Sequence, residues 1–257
     1  MAIHPRAVVD PAAELAGDVE VGPWSVIGPK VRIGAGCTID ANVIISGRTT
    51  IGANNHIYPF NSIGDAPQDK KYAGEDTELV IGDGNTIREF CTLNRGTVQD
   101  AGVTRIGDDN WIMAYVHIAH DCIIGNHTIM ANNTTLAGHV TIRDWVILGG
   151  FAQIHQFCEI GEHAFISFSA LVNQSVPPYV TVSGDKSRPR GVNTEGLKRR
   201  GFTPTQVQNV RRAYKTLYRS GLSLEEARDQ LAEQAQSADE LRLLVEFIDR
   251  AERSIIR

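Results

Sequence analysis

The chain has 257 residues, enough to bury a sizeable core in one large or two modest domains. Its formal net charge is −5 and its repeat region has no basic stripe interleaved with aromatic residues, which argues against a nucleic-acid-binding protein. No apolar run approaches the roughly 18 residues of a membrane span, and the N-terminus lacks the pattern of a signal peptide. The four cysteines form no C-x-x-C pair, so we expect reduced thiols in a cytoplasmic protein.

Apolar residues recur at every sixth position, from Val9 to Ile63 and again from Ile106 to Val172. This period is neither the 3.6 residues of a helix nor the alternation of a flat strand. Six residues can form a short strand and a corner, and three such units make one triangular coil whose sixth positions point inward. The repeat therefore predicts a mainly β protein, a parallel β-helix in which each coil covers the apolar edge of the next.

Two interruptions of the six-residue rhythm predict loops. The expected inward positions after Ile63 are occupied by Asp69 and Glu75, and buried carboxylates would be costly there, so we expect a loop from Gly64 to Leu79. The rhythm then slips by one residue between Gln99 and Arg105, which predicts a second loop. Long loops in an economical fold usually have a function.

The C-terminal part of the chain has a helical pattern. Capping boxes at Thr203–Gln206, Ser223–Glu226 and Ser237–Glu240 predict three helix starts. We therefore expect a β-helix over residues 1–185 and a helical domain over residues 186–257 that covers one end of the coil stack. Ten basic residues and one acid, Glu195, lie between Lys186 and Arg219, which favours a docking patch for a phosphate-bearing or acidic partner.

Histidines gather in one part of the repeat. Residues eighteen apart lie one above another in such a fold, so His120, Gly138 and Gln156 form a column and Asp121 lies beside His139. One interpretation is a histidine general base acting on a sugar or alcohol hydroxyl. A second is a zinc site of three imidazoles, as in the gamma-class carbonic anhydrases, which metal analysis would distinguish. A third is a scaffold trimer without catalytic activity.

Four motifs carry a closer resemblance: His117-Ile-Ala-His120-Asp121-Cys, Leu136-Ala-Gly-His139-Val, Ile154-His-Gln156-Phe-Cys158 and Asn193-Thr-Glu195-Gly-Leu-Lys-Arg199-Arg200-Gly-Phe202. Together they resemble the UDP-N-acetylglucosamine acyltransferases, which open lipid A synthesis in Gram-negative bacteria. The resemblance implies a homotrimer of left-handed parallel β-helices with a C-terminal α-helical domain and active sites between subunits. It also implies an acyl carrier protein with a 3-hydroxyacyl chain as donor, UDP-N-acetylglucosamine as acceptor, and no metal or other cofactor.

The resemblance assigns roles to individual residues. His120 matches the base that removes the proton from the sugar 3-hydroxyl, Asp121 the carboxylate that orients it, and Gly138 the amide of the oxyanion hole. A corner of the coil must fall between His120 and Asp121, because adjacent residues of a strand face opposite ways. The positions that match sugar and acyl contacts are Gln68, Asp69, Lys71, Asn94, His117, His139, His155 and Gln156. The positions that match nucleotide contacts are Asn193, Glu195, Arg199 and Arg200.

Two positions depart from the pattern of that family. Asn94 stands where a pocket histidine is common, which removes a titratable group but keeps donor and acceptor capacity. Phe168 matches the position that measures acyl length, where glycine permits a long chain, so we expect a relatively short 3-hydroxyacyl donor. Some members of the family acylate an amine in place of the 3-hydroxyl, so an N-acyltransferase acting on a 3-amino UDP-sugar stays open.

Overall fold

A computed structural model describes residues 2–251 and 253–257 of the chain. Within these residues, short strands fall in turn on three sheets, which form the three faces of a triangular prism. The fold is a left-handed parallel β-helix followed by helices, as the repeat and the resemblance predicted. Neighbouring strands pair in parallel throughout, except for one antiparallel pair at the end of sheet A.

Sheet A contains β1 (Ala2–Ile3), β4 (Glu20–Val21), β7 (Thr38–Ile39), β10 (His56–Ile57), β13 (Thr86–Ile87), β16 (Trp111–Ile112), β19 (Ile129–Met130), β22 (Ile147–Leu148), β25 (Phe165–Ile166), β27 (Val180–Ser183) and β28 (Arg188–Val192). Sheet B contains β2 (Val8–Val9), β5 (Val26–Ile27), β8 (Ile44–Ile45), β11 (Ser62–Asp65), β14 (Thr92–Asn94), β17 (His117–Ile118), β20 (Thr135–Leu136), β23 (Gln153–Ile154) and β26 (Leu171–Val172). Sheet C contains β3 (Glu14–Leu15), β6 (Val31–Ile33), β9 (Arg48–Ile51), β12 (Glu78–Ile81), β15 (Val103–Ile106), β18 (Ile123–Ile124), β21 (Thr141–Ile142) and β24 (Glu159–Ile160).

The sixth-position residues form the core of the prism. Ile118, Leu136 and Ile154 are stacked partners on β17, β20 and β23, and each is at most 2% exposed. Their neighbours one residue earlier in the strands face outward, as the alternation of a strand requires. Burial of this apolar row is the main stabilisation of the stack, at about 25 cal/mol per Å² of apolar surface.

A ladder of buried asparagines also links successive coils. The Asn85 amide N–H donates to the side-chain oxygen of Asn55, and the Asn110 N–H donates to that of Asn85, both at 2.9 Å. The next step runs from Thr128, whose N–H and hydroxyl both donate to the Asn110 oxygen. Because buried amides are costly unless bonded, this ladder fixes the register of the coils that lie below the histidine cluster.

The corners of the prism contain residues with positive φ, which lets the chain turn tightly between two faces. We name each edge by the sheets it joins. The A–B edge includes Phe60, Phe90, Tyr115, Asn133, Phe151 and Ser169. The B–C edge includes Asp121, His139 and Phe157, and the C–A edge includes Asp109, His127, Trp145, His163 and Tyr179. Side chains that follow the same edge stack on one another, so each edge is a separate surface.

The two loops lie where the rhythm breaks, with shifted bounds. The first covers residues 66–77, and the prediction that it extends to Leu79 was wrong, because Leu79 is a fully buried residue of β12. The second covers residues 95–102, so Thr104 and Arg105 belong to β15 and not to the loop. Gly64 belongs to β11, so the predicted start of the first loop was wrong as well. In each case strand pairing includes residues beside the sixth position, which the spacing does not mark.

Four α-helices follow the prism in the described part of the chain. They are α1 (Thr194–Arg199), α2 (Pro204–Arg219), α3 (Leu224–Ala235) and α4 (Arg242–Arg250), with a 3₁₀ helix (Asp239–Leu241) before α4. The capping boxes of α2 and α3 are confirmed, with reciprocal bonds between Thr203 and Gln206 and between Ser223 and Glu226. The third capping box was wrong, because the 3₁₀ helix begins after Ala238 without a side-chain cap.

The helical part remains joined to the prism. β28 pairs with β27, so sheet A continues beyond residue 185, and the division at residues 185/186 stays a prediction. At the C-terminus, Ile255 pairs with Ser175, which returns the end of the chain to the upper coils. No helix among the described residues is long and apolar enough to span a bilayer.

Candidate active site

The corner on the B–C edge joins His120 to Asp121. Asp121 has a φ of 59°, and this turn brings the His120 Nδ1 atom to 2.8 Å from the Asp121 Oδ2 atom. A carboxylate only accepts hydrogen bonds, so the imidazole proton lies on Nδ1. The lone pair of neutral His120 is therefore on Nε2, which makes no hydrogen bond to any other described residue. This is the arrangement that a general base needs.

Asp121 is held from several sides. Its side chain is 1% exposed. Oδ1 accepts a hydrogen bond from the Thr97 amide at 2.8 Å, and Oδ2 accepts one from the Thr97 hydroxyl at 2.6 Å. The Asp121 amide in turn donates to the Thr104 hydroxyl at 2.9 Å. Three donors therefore hold the carboxylate in place: the amide and hydroxyl of Thr97 and the Nδ1–H of His120.

Gly138 lies directly against the imidazole of His120. A Cβ atom at this position would be 2.5 Å from Cε1 and 2.7 Å from Nε2 of His120, so any larger residue would displace the base. The carbonyl of Gly138 accepts from the Phe157 amide. Its own amide donates to no acceptor within residues 2–251 and 253–257, which leaves a backbone donor close to the base.

Two further histidines surround this pair. His139 Nδ1 is 2.8 Å from the Asp100 carboxylate, and its Nε2 is 3.9 Å from Asp121 Oδ2. The rings of His120 and His139 meet edge to face, with centroids 5.1 Å apart. His117 Nδ1 lies 2.7 Å from the Thr92 hydroxyl, and burial is the main reason that the pKa of His117 is lowered. His117 is therefore a neutral contact in the pocket at physiological pH.

The same cluster could offer ligands to a metal ion. His120, Asp121 and His139 place one ligand atom each within 4.8 Å of one another. The zinc interpretation required three imidazoles, whereas this set has two imidazoles and one carboxylate. Among the described residues, the cluster therefore lacks the third imidazole that the zinc interpretation required.

His155 and Gln156 lie one coil further along the same edge. Phe157, which follows them, stacks on His139 with ring centroids 4.5 Å apart. The guanidinium of Arg253 donates to His155 Nδ1 at 3.1 Å and to the Gln156 carbonyl at 2.6 Å. His155 Nδ1 also lies 3.2 Å from the Gln156 carbonyl, so it is placed between a donor and an acceptor, and its Nε2 atom makes no hydrogen bond to the described residues.

The first loop approaches the site through β14. The Asn94 side-chain amide donates to the Ala66 carbonyl at 3.0 Å, while its Oδ1 atom is buried without a partner. In the loop, the Asp69 carboxylate accepts from the Lys71 amide at 3.0 Å. Gln68 and the Lys71 side chain are exposed. The donor capacity of Asn94 thus fixes the start of the loop.

The predicted nucleotide contacts lie elsewhere, at the C–A edge. Asn193 caps α1, because its side chain accepts from the Gly196 amide and donates to the His163 carbonyl. Arg200 donates to His163 Nδ1 at 3.2 Å and lies over the Trp145 ring. Glu195 is exposed and pairs with Lys198, which lowers the pKa of Glu195. Arg199 follows on the same helix.

The third predicted feature, Phe168, lies at the A–B edge. Its side chain is 68% exposed, and its ring meets Phe151 edge to face with centroids 5.6 Å apart. The predicted base, nucleotide contacts and acyl ruler therefore lie on three different edges of one chain. The structure brings His120, Asp121, Gly138, His117 and His139 together, but it does not bring Arg200 or Phe168 to them within a single chain.

Comparison with known proteins identifies the family. A family model described as Udp N-acetylglucosamine O-acyltransferase, Domain 2, matches residues 176–256, and one for bacterial transferase hexapeptide repeats matches residues 104–138. A relative from Janthinobacterium sp. (strain Marseille) is 61% identical over 99% of both chains, and one from Thiobacillus denitrificans is 58% identical over 99% of both. Both are named acyl-[acyl-carrier-protein]--UDP-N-acetylglucosamine O-acyltransferase.

Solved structures agree. The UDP-N-acetylglucosamine acyltransferase of Francisella novicida has a TM-score of 0.97 at 45% identity, covering 99% of this chain and 94% of that one. The UDP-N-acetylglucosamine O-acyltransferase of Moraxella catarrhalis has a TM-score of 0.98 at 42% identity over 100% of both chains. The chain belongs to the UDP-N-acetylglucosamine O-acyltransferase family. It is an acyltransferase.

Several contacts of this acyltransferase had no signal in the sequence analysis. Thr97 and Asp100 contact Asp121 and His139, although the slip in the six-residue rhythm marked only the loop that contains them. Arg253 contacts His155 from the far end of the chain, which no local pattern indicates. His163 could have been found, because it lies eighteen residues after Trp145 on the same edge.

His163 has an environment with a measurable consequence. Its ring lies between those of Trp145 and Tyr179, and its Nδ1 accepts from Arg200. Burial, and secondarily the charge of Arg200, lower the pKa of His163 to about 4. The unfolded chain, with a histidine pKa of about 6.5, binds this proton more readily, so His163 should make the fold less stable as the pH falls from about 6.5 to about 4.

We therefore expect His163→Gln to lose less stability than the wild type over this pH range, by on the order of 3 kcal/mol. Urea unfolding at pH 7 and at pH 4.5 measures the difference. The matched control is His127→Gln, a half-buried histidine on the same edge, which should follow the wild type. Equal pH dependence in His163→Gln and wild type would show that His163 titrates normally in the fold.

Proposed function

We propose that this acyltransferase moves a 3-hydroxyacyl chain from acyl carrier protein to the 3-hydroxyl of UDP-N-acetylglucosamine, in the cytoplasm, as a step of lipid A biosynthesis. The names of its relatives support the carrier and the sugar nucleotide. The single observation that supports the chemistry is the His120–Asp121 pair, 2.8 Å apart, with Gly138 against the open face of the imidazole.

In this mechanism His120 Nε2 takes the proton of the sugar 3-hydroxyl as its oxygen attacks the thioester carbonyl. Asp121 stabilises the imidazolium that forms, because its buried charge lies 2.8 Å from Nδ1. The free amide of Gly138 supports a role as donor to the developing oxyanion. The tetrahedral intermediate then collapses, the carrier thiolate leaves, and His120 returns its proton to that sulfur.

The remaining pocket residues would position the two substrates. Neutral His117 and the Nε2 atom of His155 would each offer one hydrogen-bonding group to sugar and acyl hydroxyls, and Asn94 would support the pocket from its buried position. The other proposed sugar and acyl contacts are Gln68, Asp69, Lys71, His139 and Gln156. The proposed nucleotide contacts are Asn193, Glu195, Arg199 and Arg200, where arginine suits a diphosphate through its forked donors.

A homotrimer would bring the separated edges together. Base, nucleotide contacts and Phe168 lie on three different edges of one chain, so a site that uses all of them needs the edge of a second copy. The A–B edge also exposes stacked apolar rings: Phe60, Phe90 and Tyr115 have successive centroid distances of 5.0 and 4.9 Å. Exposed apolar surface of this kind is typical of an interface.

The helical part offers a surface for the acidic carrier. A groove of about 530 Å³ between β28 and α2 is lined by Arg211, Arg212, Lys215 and Arg219. None of these four forms an ion pair with the described part of the chain. Unpaired cations around a groove would steer an acidic protein toward it and make association sensitive to salt.

Two alternatives differ in chemistry. An N-acyltransferase would use the same base and oxyanion donor but would require an amine at the sugar 3-position. The zinc hydratase requires three imidazoles, and the described cluster offers two. The O-acyl reaction is favoured because the names of the full-length relatives specify it.

The direct test incubates the purified protein with a mixture of 3-hydroxyacyl carrier proteins of different lengths. UDP-N-acetylglucosamine is the acceptor in one arm, and its 3-amino counterpart is the acceptor in the other. We expect mass spectrometry to show one acyl group added to the N-acetylglucosamine nucleotide. A product in the amine arm alone would establish the N-acyltransferase, and no product in either arm would contradict the proposed function.

Phe168 supports a further part of the proposal, the preference for a short chain. Its exposed ring, backed by Phe151, would narrow the far end of a groove formed with a second copy. A methylene excluded from such a groove loses about 0.8 kcal/mol of burial. Two excluded methylenes therefore lower the efficiency for the longer donor by roughly 15-fold.

We expect Phe168→Gly to raise the ratio of kcat/KM for long over short donors by about tenfold or more. A competition between carriers that differ by four methylenes measures this ratio. Trp24→Gly, an exposed aromatic with positive φ in an early coil, serves as the control and should leave the ratio unchanged. An unchanged ratio in Phe168→Gly would remove Phe168 from the determination of acyl length.

A further inference from the structure

The second loop, residues 95–102, contacts the candidate active site at two points. Thr97 binds the Asp121 carboxylate, and Asp100 binds His139 Nδ1 at 2.8 Å. The loop interrupts an otherwise regular coil and has no role in the proposed chemistry so far. The loop therefore contacts both Asp121 and His139 of the candidate site.

Thr97 is the better-defined of these contacts. It is 1% exposed, and it gives one donor to each carboxylate oxygen of Asp121: the amide to Oδ1 at 2.8 Å and the hydroxyl to Oδ2 at 2.6 Å. Two donors on two oxygens prevent the carboxylate from rotating about its last bond. Oδ2 also accepts the hydrogen bond from His120 Nδ1. By fixing the plane of the carboxylate, Thr97 therefore fixes the direction of the bond that holds His120.

The local sequence places Thr97 where it can do this. Gly96, the preceding residue, packs against the backbone of residues 102 and 103, and a Cβ there would be 2.2 Å from the Val103 amide nitrogen. Only a glycine permits this approach, which closes the loop and directs Thr97 inward. The Gly96 amide also donates to the Glu78 carbonyl at 3.1 Å, and this bond ties the loop to β12.

We propose that Thr97 is a positioning residue that holds the Asp121 carboxylate in the orientation required by His120. This inference deepens the proposed function and rests on it. Thr97 does not touch substrate, so its effect passes through Asp121 alone. Without the Thr97 hydroxyl, Oδ2 of Asp121 loses one donor, while the amide of residue 97 still donates to Oδ1. The carboxylate can then rotate more freely, and His120 is oriented less precisely.

The test compares wild type, Thr97→Val, Thr97→Ser and Asp121→Ala, with the double variant of Thr97→Val and Asp121→Ala. Each is assayed with a 3-hydroxyacyl carrier protein and UDP-N-acetylglucosamine. We expect Thr97→Val to lower kcat roughly 10- to 100-fold, the range for a lost hydrogen bond to a charged group, with KM unchanged. Thr97→Ser keeps the hydroxyl and should retain the wild-type kcat. Thr86→Val, on the outer face of β13, is the control and should match wild type.

The double variant distinguishes a positioning role of Thr97 from a general disruption of the structure. If Thr97 acts only through Asp121, Thr97→Val causes no further loss in the Asp121→Ala background. The same loss in both backgrounds, or an unchanged kcat in Thr97→Val, would overturn the proposal while the proposed function stands. Thermal melting checks that each variant is folded. Thr97→Ala, which adds no methyl group in place of the hydroxyl, replaces Thr97→Val if that variant is unfolded.

A second readout requires no substrate. The Nδ1 proton of His120 should give a low-field NMR resonance that is absent in Asp121→Ala. We expect this proton to exchange faster with water in Thr97→Val and at the wild-type rate in Thr97→Ser. Equal exchange in wild type and Thr97→Val would refute the positioning role even if the wild-type protein transferred no acyl group, so the two failures can be told apart.

Discussion

The site depends on one backbone turn, the corner between His120 and Asp121. In a strand these neighbours would face opposite sides of a sheet, and their side chains could not meet. The positive φ of Asp121, 59°, turns the chain there and brings the two side chains to 2.8 Å. A residue in this region of φ is strained unless its surroundings hold it. Here the buried bonds from Thr97 and to Thr104 do so.

The next two coils of the repeat then supply the rest of the pocket. The next coil places Gly138 on the imidazole and His139 beside it, and the coil after that places Gln156 and Phe157 in line. The apolar core holds these coils in register, and the asparagine ladder does the same for the coils up to Thr128. A stack of this kind resists relative sliding of its layers, which is what a catalytic group aligned across three coils requires.

The triangular section also limits what one chain can do. Residues that follow different edges cannot converge, because the packed core lies between them. His120 follows the B–C edge, Arg200 the C–A edge and Phe168 the A–B edge, so any chemistry that uses all three belongs to an assembly of chains. This geometric separation is the physical reason for proposing a homotrimer.

Much of this could be predicted from the sequence. The sixth-position rule identified the prism and its core, because a buried position in a repeat tolerates only apolar residues. The same rule failed at Leu79, Thr104 and Arg105, since spacing marks a loop but not where pairing resumes. The capping box at Ser237 was wrong because a capping motif shows only that a helix start is possible there.

Columns predicted from the sequence indicated which residues of the candidate site are neighbours but not how they are arranged, and the roles of these residues stay a prediction. Columns of eighteen gave the neighbours of His120, and the resemblance gave their roles. Contacts from outside the columns, such as those of Thr97, Asp100 and Arg253, depend on how loops and the C-terminus return to the prism, which no local pattern encodes. Which edge each residue follows also required the structure.

The most direct test of the account is the turnover of His120→Ala beside His127→Ala, a half-buried histidine on another edge that serves as the control. Both variants should assemble and melt as the wild type does. The account predicts that His120→Ala loses about 10³-fold or more in kcat, within the range for a missing general base, while His127→Ala retains wild-type activity. Turnover by folded His120→Ala within about tenfold of wild type would contradict it.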